Sequence, residues 1–187
     1  FLKERHYFVL QLCSLFFNRI FVVNQLLLDW NTKKMFCKKI YYLQNFPEIE
    51  SLKGSTVLNG IEGKRVVCLA NLRPQKNIEM LVEVAKIVCA NNTDITFHVV
   101  GKKFKDLYQE KNFQLIKEYK LEKNIFLYDS KNDIPNILKQ STIGVLTSSS
   151  EGLPVSVLEY GLSKLPVIAT NVGQIKEVIL NEKSGFL

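Results

Sequence analysis

From residue 61 to the end of the chain, short apolar runs alternate with helical patterns, and this alternation restricts the fold more than any other property. Arg65–Ala70 (RVVCLA), Thr96–Val100 (TFHVV), Asn124–Tyr128 (NIFLY), Ile143–Thr147 (IGVLT) and Val167–Thr170 read as strands. Between the first two lies Ile78–Val88, apolar at positions 78, 81, 84, 85 and 88, the spacing of one helix face. A charged helix is predicted over Lys103–Tyr119, and shorter ones over Ile134–Lys139, Pro154–Leu162 and Ile175–Leu180. Strands separated by helices run parallel, are joined by right-handed crossovers and are covered on both faces. The nearly unbroken apolar character of the runs fits that burial. The expected class is therefore α/β, a doubly wound parallel sheet. In such sheets ligands gather at the carboxyl ends of the strands, so the loops after Ala70, Val100, Tyr128, Thr147 and Thr170 carry the functional interest.

Residues 1–60 have a different texture. They read as helix (Leu2–Phe17), strand (Arg19–Val23), helix (Gln25–Phe36) and strand (Lys39–Gln44), followed by Asn45-Phe46-Pro47. Glu48–Gly63 is polar, contains three glycines and is expected to be a linker. Residues 1–60 are thus read as the end of one α/β domain, and 61–187 as a second. The chain opens on Phe1, and Asn181–Gly185 is turn chemistry followed by Phe186 and Leu187, the start of a strand. It is expected to be a fragment.

Hydrophobic residues make up 47% and charged residues 23%, a globular balance. The net charge of +7 favours anionic partners. It is dispersed: residues 1–60 hold eight Lys or Arg against four Asp or Glu. No basic run or RNA-binding motif accompanies it, which argues against nucleic acid. Cys13, Cys37, Cys68 and Cys89 form no CxxC pair and have no histidine at ligand spacing, so no metal site is expected. Cys68 and Cys89 are predicted to be small buried hydrophobes. Tyr7–Phe17 is strongly apolar but shorter than the roughly 20 residues needed to cross a bilayer. It is read as a helix packed on another domain in preference to a membrane-surface contact. His98 falls mid-strand and is read as a sheet histidine, not a catalyst. No G-x-G-x-x-G, Walker sequence or Gly-x-Ser-x-Gly elbow is present.

Two constellations carry chemistry. In Ser148-Ser149-Ser150-Glu151-Gly152-Leu153-Pro154-Val155-Ser156-Val157-Leu158-Glu159, a strand ends, a polar turn follows and a helix begins near Pro154. Proline suits the first helical position. The amides at such a start, those of Leu153, Val155 and Ser156, have no acceptor within the helix, and with the helix dipole they favour an anion. Glu151 at that mouth would repel a phosphate unless it meets something else, such as sugar hydroxyls. Glu159, eight residues on, is placed to meet a second set, such as a ribose. The plain alternative is a helix cap with a solvated glutamate. The second constellation, Ala70-Asn71-Leu72-Arg73-Pro74-Gln75-Lys76-Asn77, sets two cations in the loop after the first strand. Arg73 can grip a diphosphate in a fork while Lys76 acts as a point charge. The alternative there is a solvated loop.

Together these segments resemble the retaining glycosyltransferases of the GT-B fold, of the family 4 or group 1 type. The resemblance covers most of residues 19–187. Its mark is a pair of glutamates separated by seven residues, with Gly and Pro after the first: Glu151-Gly152-Leu153-Pro154 through Glu159. Gly161, Leu165–Gly173 and Glu177-Val178 continue the pattern. The resemblance implies two Rossmann-like domains with a cleft between them. Here 61–187 is the donor-binding domain, preceded by the end of the acceptor-binding domain, and Asn45-Phe46-Pro47 is the hinge.

It implies transfer of a sugar from a UDP- or GDP-type nucleoside diphosphate sugar to an acceptor hydroxyl, with retention of configuration, in surface polysaccharide or glycolipid assembly. Lys76 and Glu151 are the implied catalytic residues; Arg73, Gly152, Leu153, Pro154, Val155 and Glu159 bind the donor. The family's Gly-Arg is Ala70-Asn71 here, and Arg73 is expected to take over that charge. Asp129 stands where the family often has glycine, by the base. No cofactor and no metal are implied, since the cations and the helix N-terminus offset the diphosphate. The expected partners are the nucleotide sugar and a saccharide or lipid-linked acceptor, with peripheral membrane association left open and a cytoplasmic location. The fragment alone is expected to be inactive. A nucleotide-sugar epimerase of the same fold and a non-catalytic nucleotide-sugar-binding module are the alternatives.

Overall fold

The computed structural model describes residues 4–47 and 54–187. The chain forms two compact units, divided between Phe46 and Pro47.

The first unit runs α1 (Glu4–Cys13), β1 (Ile20–Val22), α2 (Gln25–Lys34) and β2 (Ile40–Tyr42), with a 3-10 turn at Ser14–Phe16. All four predicted elements are present, each shorter than its apolar pattern. Asn24 starts α2: its side chain accepts the Leu27 amide at 2.8 Å, the expected work of an N-cap. β1 and β2 pair in parallel with Ile20 opposite Ile40. Tyr7 of α1 meets Trp30 of α2 edge-on at 5.5 Å. Phe8, Val9, Leu12 and Phe16 are exposed on this unit. No helix among the described residues is long and apolar enough to cross a membrane.

The second unit contains β3 (Arg65–Leu69), α3 (Ile78–Asn91), β4 (Thr96–Val100), α4 (Leu107–Glu118), β5 (Ile125–Tyr128), α5 (Ile134–Lys139), β6 (Ile143–Leu146), α6 (Val155–Leu162), β7 (Val167–Ala169), α7 (Ile175–Val178) and β8 (Gly185–Phe186). The six strands form one sheet in the order β5-β4-β3-β6-β7-β8, every pair parallel. Counted within the unit, this is the doubly wound order 3-2-1-4-5-6, whose direction reverses between β3 and β6. Alternate strand residues feed two cores. Cys68, Phe97, Val99 and Ile125 pack under α3 and α4. Val67, Leu69, Leu146, Val167 and Ala169 pack under α5, α6 and α7. The buried face of α3 consists of Ile78, Leu81, Val82, Ala85 and Cys89. Positions 84 and 88 of the predicted stripe are only half-buried, because the helix is rotated slightly about its axis. Helices cover both faces of the sheet, as expected, and the β7–β8 edge is the more open part. Ile168 and Phe186, which pair across β7 and β8, are exposed there.

Residues 54–60, expected to be linker, are docked chain. Asp133 accepts the amides of Ser55 and Thr56, each at 2.8 Å, and the Thr56 hydroxyl at 2.8 Å, while Leu58 is buried in the second core. The Thr56 amide, aided by the Thr56 hydroxyl, the Ser55 amide and Asn136, holds the Asp133 carboxyl well below the usual carboxylate range. Of the rest of the expected linker, 48–53 lies outside the described residues, and 61–63 leads into β3 as a turn. His98 is a sheet histidine as read. It is fully buried, with Thr96 Oγ1 at 2.9 Å and the Tyr128 hydroxyl at 3.2 Å. Burial, with the nearby Arg65 charge, pushes its pKa down to about 4, so it is neutral at pH 7. Cys68 and Cys89 are buried and all four cysteines are free thiols. Burial raises Cys68 to about 12 and leaves it inert.

At the reversal, β3 and β6 pair over only Val66–Ile143 and Val67–Gly144, then separate. Tyr160 of α6 fills the opening. Its hydroxyl accepts the Leu69 amide at 2.7 Å and donates to the Val145 carbonyl at 3.2 Å. Gly144 lies directly beneath the ring, where a Cβ would collide with it. Tyr160→Phe should therefore leave a buried N–H and C=O unpaired and destabilise the protein by about 1–3 kcal/mol, read by urea denaturation.

Candidate active site

The loops after β3 and β6 leave the reversal point side by side, and hydrogen bonds join them. The Ser149 amide and hydroxyl both reach the Gln75 carbonyl, at 2.9 and 3.1 Å. Gln75 Nε2 donates to the Ser150 carbonyl at 2.8 Å, and the Thr147 hydroxyl to the Lys76 carbonyl at 3.1 Å. Between the loops, Lys76 Nζ and Glu151 Oε1 form an ion pair at 2.5 Å. Its side chains are 22% and 8% exposed, so water screens the pair only in part. The two constellations read from the sequence thus meet at one point, 75 residues apart in the chain.

Local conformation explains the placement of Lys76. Pro74–Lys76 is a 3-10 turn, and Asn77 follows in the left-handed region at φ 49°, where its side chain caps α3 through the Met80 amide. Asparagine tolerates that conformation better than most residues. The Ile78 amide of the same helix start is taken by the Tyr108 hydroxyl at 2.8 Å.

On the other loop, Pro154 is the N-cap of α6 and Val155 its first residue, one position later than the pattern predicted. Pro154 has no amide hydrogen to orphan. Among the described residues the Val155 and Ser156 amides meet no acceptor, and they form the donor end of α6. Leu153 and Pro154 are buried beneath this end, and Gly152 is half-buried. Glu159 is half-buried one turn along, and its carboxylate accepts no hydrogen bond among the described residues. Burial raises its pKa. An acceptor held partly out of water without a partner suits a ligand hydroxyl.

Arg73 takes a different position from Lys76. It is exposed and lies over the Phe104 ring at 4.6 Å, with Lys102 also near that ring at 5.6 Å. It makes no ion pair among the described residues. Asn71 does not contribute a charge; its Oδ1 accepts the Lys102 amide at 2.7 Å and ties the loops after β3 and β4 together. Gly101 makes this approach possible, since a Cβ there would strike the Ala70 carbonyl. Asp129, after β5, accepts the Ser130 amide at 2.8 Å and the Lys103 amide at 3.4 Å. These amides, with the Lys103 and Lys102 charges, lower its pKa.

Sequence reasoning missed Thr147, Gln75 and Thr170, which hold the glutamate loop by backbone-directed bonds. Their only signal was position at a strand end or beside a named cation.

Comparison with known proteins follows the same geometry. The chain belongs to the group 1 glycosyl transferases, whose family model matches residues 58–187. Over 121 residues it is 36% identical to the UDP-Gal:alpha-D-GlcNAc-diphosphoundecaprenol alpha-1,3-galactosyltransferase of Escherichia coli, covering 64% of this chain and 31% of that protein. It is 27% identical over 151 residues to the poly(ribitol-phosphate) alpha-N-acetylglucosaminyltransferase of Staphylococcus aureus, covering 80% of this chain and 29% of that protein. The chain spans about a third of the length of these curated relatives. The crystal structure of HepE from Anabaena in complex with UDP-glucose superposes with a TM-score of 0.82 at 19% identity, over 100% of this chain and 54% of that one, and shares its fold.

Removing one partner of a half-buried ion pair leaves the other charge poorly solvated. Lys76→Met and Glu151→Gln should each destabilise the protein, and the double variant should lose less than the sum of the two single losses. A coupling of about 0.5–3 kcal/mol is expected in a double-mutant cycle read by denaturation. Simple additivity would mean that the pair is a solvated contact.

Proposed function

We propose that this chain is the donor-binding half of a retaining glycosyltransferase that uses a UDP-sugar. The carrying observation is the meeting of Lys76, Glu151 and the donor end of α6 at the reversal of a doubly wound sheet, where anionic nucleotides bind in such folds. The family, and relatives named for UDP-galactose and solved with UDP-glucose, support a nucleotide sugar.

In this reading the diphosphate lies against the Val155 and Ser156 amides and Lys76, with Arg73 reaching it from the Phe104 side. The bond between the anomeric carbon and the β-phosphate oxygen breaks, and the acceptor oxygen bonds to that carbon on the same face while its proton passes to the departing phosphate oxygen. The departing diphosphate gains negative charge, which Lys76 meets. Glu151, exchanging part of its pairing with Lys76 for sugar hydroxyls, faces the carbon as positive charge develops there. Glu159 accepts hydrogen bonds from the ribose, a part of the donor that does not react. Fixed cations and amides offset the diphosphate without a metal ion. The acceptor is a hydroxyl of a saccharide or lipid-linked saccharide, in keeping with the diphosphoundecaprenol and poly(ribitol-phosphate) in the relatives' names.

The residues should fail in different ways in the full-length polypeptide, assayed by UDP release from UDP-galactose and UDP-N-acetylglucosamine. Lys76→Ala should lower kcat by roughly 100- to 1000-fold, the usual loss for one transition-state contact. Glu159→Ala should mainly raise donor KM, because the ribose contact is similar in ground and transition states, and Glu159→Gln should be mild. Glu151→Gln should lower kcat. A change below about threefold for Lys76→Ala would leave Lys76 as a structural ion-pair partner of Glu151 with no part in the reaction.

Product formed in the presence of a chelator should show, by NMR, the anomeric configuration of the donor. Inversion would overturn retention, and loss of turnover on chelation, restored by a divalent ion, would overturn metal independence.

A further inference from the structure

The segment that presents Glu151 is held from two sides, and the reaction scheme above uses only one. On the β3 side stand Gln75 and Lys76. On the other side the loop after β7, residues 170–174, grips both ends of the segment Ser148–Gly152. At the near end the Thr170 hydroxyl donates to the Ser148 carbonyl at 2.5 Å. At the far end the Gln174 amide donates to the Gly152 carbonyl at 2.9 Å. Between these bonds Gly173, at φ 58°, lies flat against the segment; a Cβ there would run into the carbonyl oxygens of both Glu151 and Gly152. The loop is itself fixed. The Thr170 amide continues the β6–β7 ladder to the Leu146 carbonyl at 2.9 Å, the Val172 amide turns back to the Thr170 carbonyl at 2.9 Å, and the Gln174 side chain is buried and donates to Glu177 at 2.8 Å.

A carboxylate on a loop keeps its place only as well as the backbone beneath it. Among the described residues the Glu151 side chain has one partner, the Lys76 ammonium, and in the functional reading above that partner is also wanted by the donor. The backbone therefore has to hold the carboxylate when Lys76 turns to a phosphate. We propose that Thr170 is a positioning residue, which through its bond to the Ser148 carbonyl, backed by Gly173, sets where the Glu151 carboxylate stands in the donor complex. This rests on the functional reading above. Thr170 touches no donor atom in this scheme, so its loss acts on the reacting centre and not on nucleotide affinity.

The full-length polypeptide carrying Thr170→Val, Thr170→Ser, Gly173→Ala or Lys76→Ala tests this, with UDP release from UDP-galactose and UDP-N-acetylglucosamine, UDP affinity by calorimetry, and thermal denaturation. Thr170→Val keeps the shape and deletes the donor. It is expected to lower kcat about tenfold or more, since small misplacements near reacting atoms cost up to roughly 100-fold, with UDP affinity changed less than about threefold. Thr170→Ser retains the hydroxyl and should restore most of the rate. Gly173→Ala, which pushes on the same backbone from the adjacent position, should reproduce the kcat loss if Thr170→Val fails to fold. Thr170→Val and Gly173→Ala with unchanged kcat, while Lys76→Ala is impaired, would overturn the positioning role and leave the glycosyl-transfer reading intact. Equal losses in Thr170→Ser and Thr170→Val would also overturn it. Unchanged UDP release in Lys76→Ala would instead strike at the functional reading itself.

Discussion

The separation of β3 from β6 is the constraint on which the rest of this molecule depends. A doubly wound sheet must send the connection from one central strand to one face and that from its neighbour to the other, so the two cannot stay paired to their ends. Here the ladder stops after two residue pairs, and the Tyr160 hydroxyl takes up the amide and carbonyl left without strand partners. The cost of unpaired backbone in a dry core makes this substitution necessary. Its consequence is a gap at the carboxyl edge of the sheet, with the start of α6 on one side and the β3 loop on the other. Tyr160 lies on the same helix as Glu159, so the residue that closes the core also fixes the direction of the helix whose donor end faces the gap.

The electrostatics of the gap follow from what surrounds it. Two amides of α6 and Lys76 supply positive character, and Glu151 is the charge that balances it without a ligand. A carboxylate beside a helix start with free amide donors would be an unusual choice if an anion were the whole ligand. It is a sensible one if the ligand carries hydroxyls and develops positive charge on carbon as the anion departs. The pairing with Lys76 also offsets part of the desolvation of a largely buried glutamate. Other titratable groups of the unit are removed from chemistry by the same physics. His98 is neutral in the sheet, Cys68 is protonated beneath it, and the Asp133 carboxyl is committed to tethering residues 55–56.

Much of this was legible in the chain. Thr96–Val100 and Ile134–Lys139 have the predicted limits, and the other strands end within two residues of theirs. Parallel buried strands are continuous apolar runs that turn residues cut cleanly. The helices were less exact where side chains and not propensity set the ends. α4 begins at Leu107 and not Lys103, because Asp106 caps it through the Gln109 amide after a left-handed residue, Lys105, at φ 52°. Residues 54–60 belong to the second compact unit although their sequence reads as linker. Residues 54–60 are polar, and their attachment depends on Asp133 and Gln140, some 80 residues away. At the strand ends, the charges of Lys76, Glu151 and Glu159 could be read from type and spacing, whereas the turn of Arg73 toward Phe104 could not. That stacking follows from the approach of the β4 loop to the β3 loop at Gly101, a contact no local pattern encodes.

The sequence by itself determined the periodicities, and through them the elements, their parallel arrangement, the family pattern and the types of charge at the strand ends. These are local properties, set by side-chain spacing and turn chemistry within about a dozen residues. Only the tertiary structure decided which charges meet. The pairing of Lys76 with Glu151, the gap that Tyr160 closes, and the bracing of Ser148–Gly152 from β7 all join residues far apart in the chain. They exist because the sheet order places β6 beside β3 and β7 beside β6, and buried polar groups then take the partners that this order brings within reach.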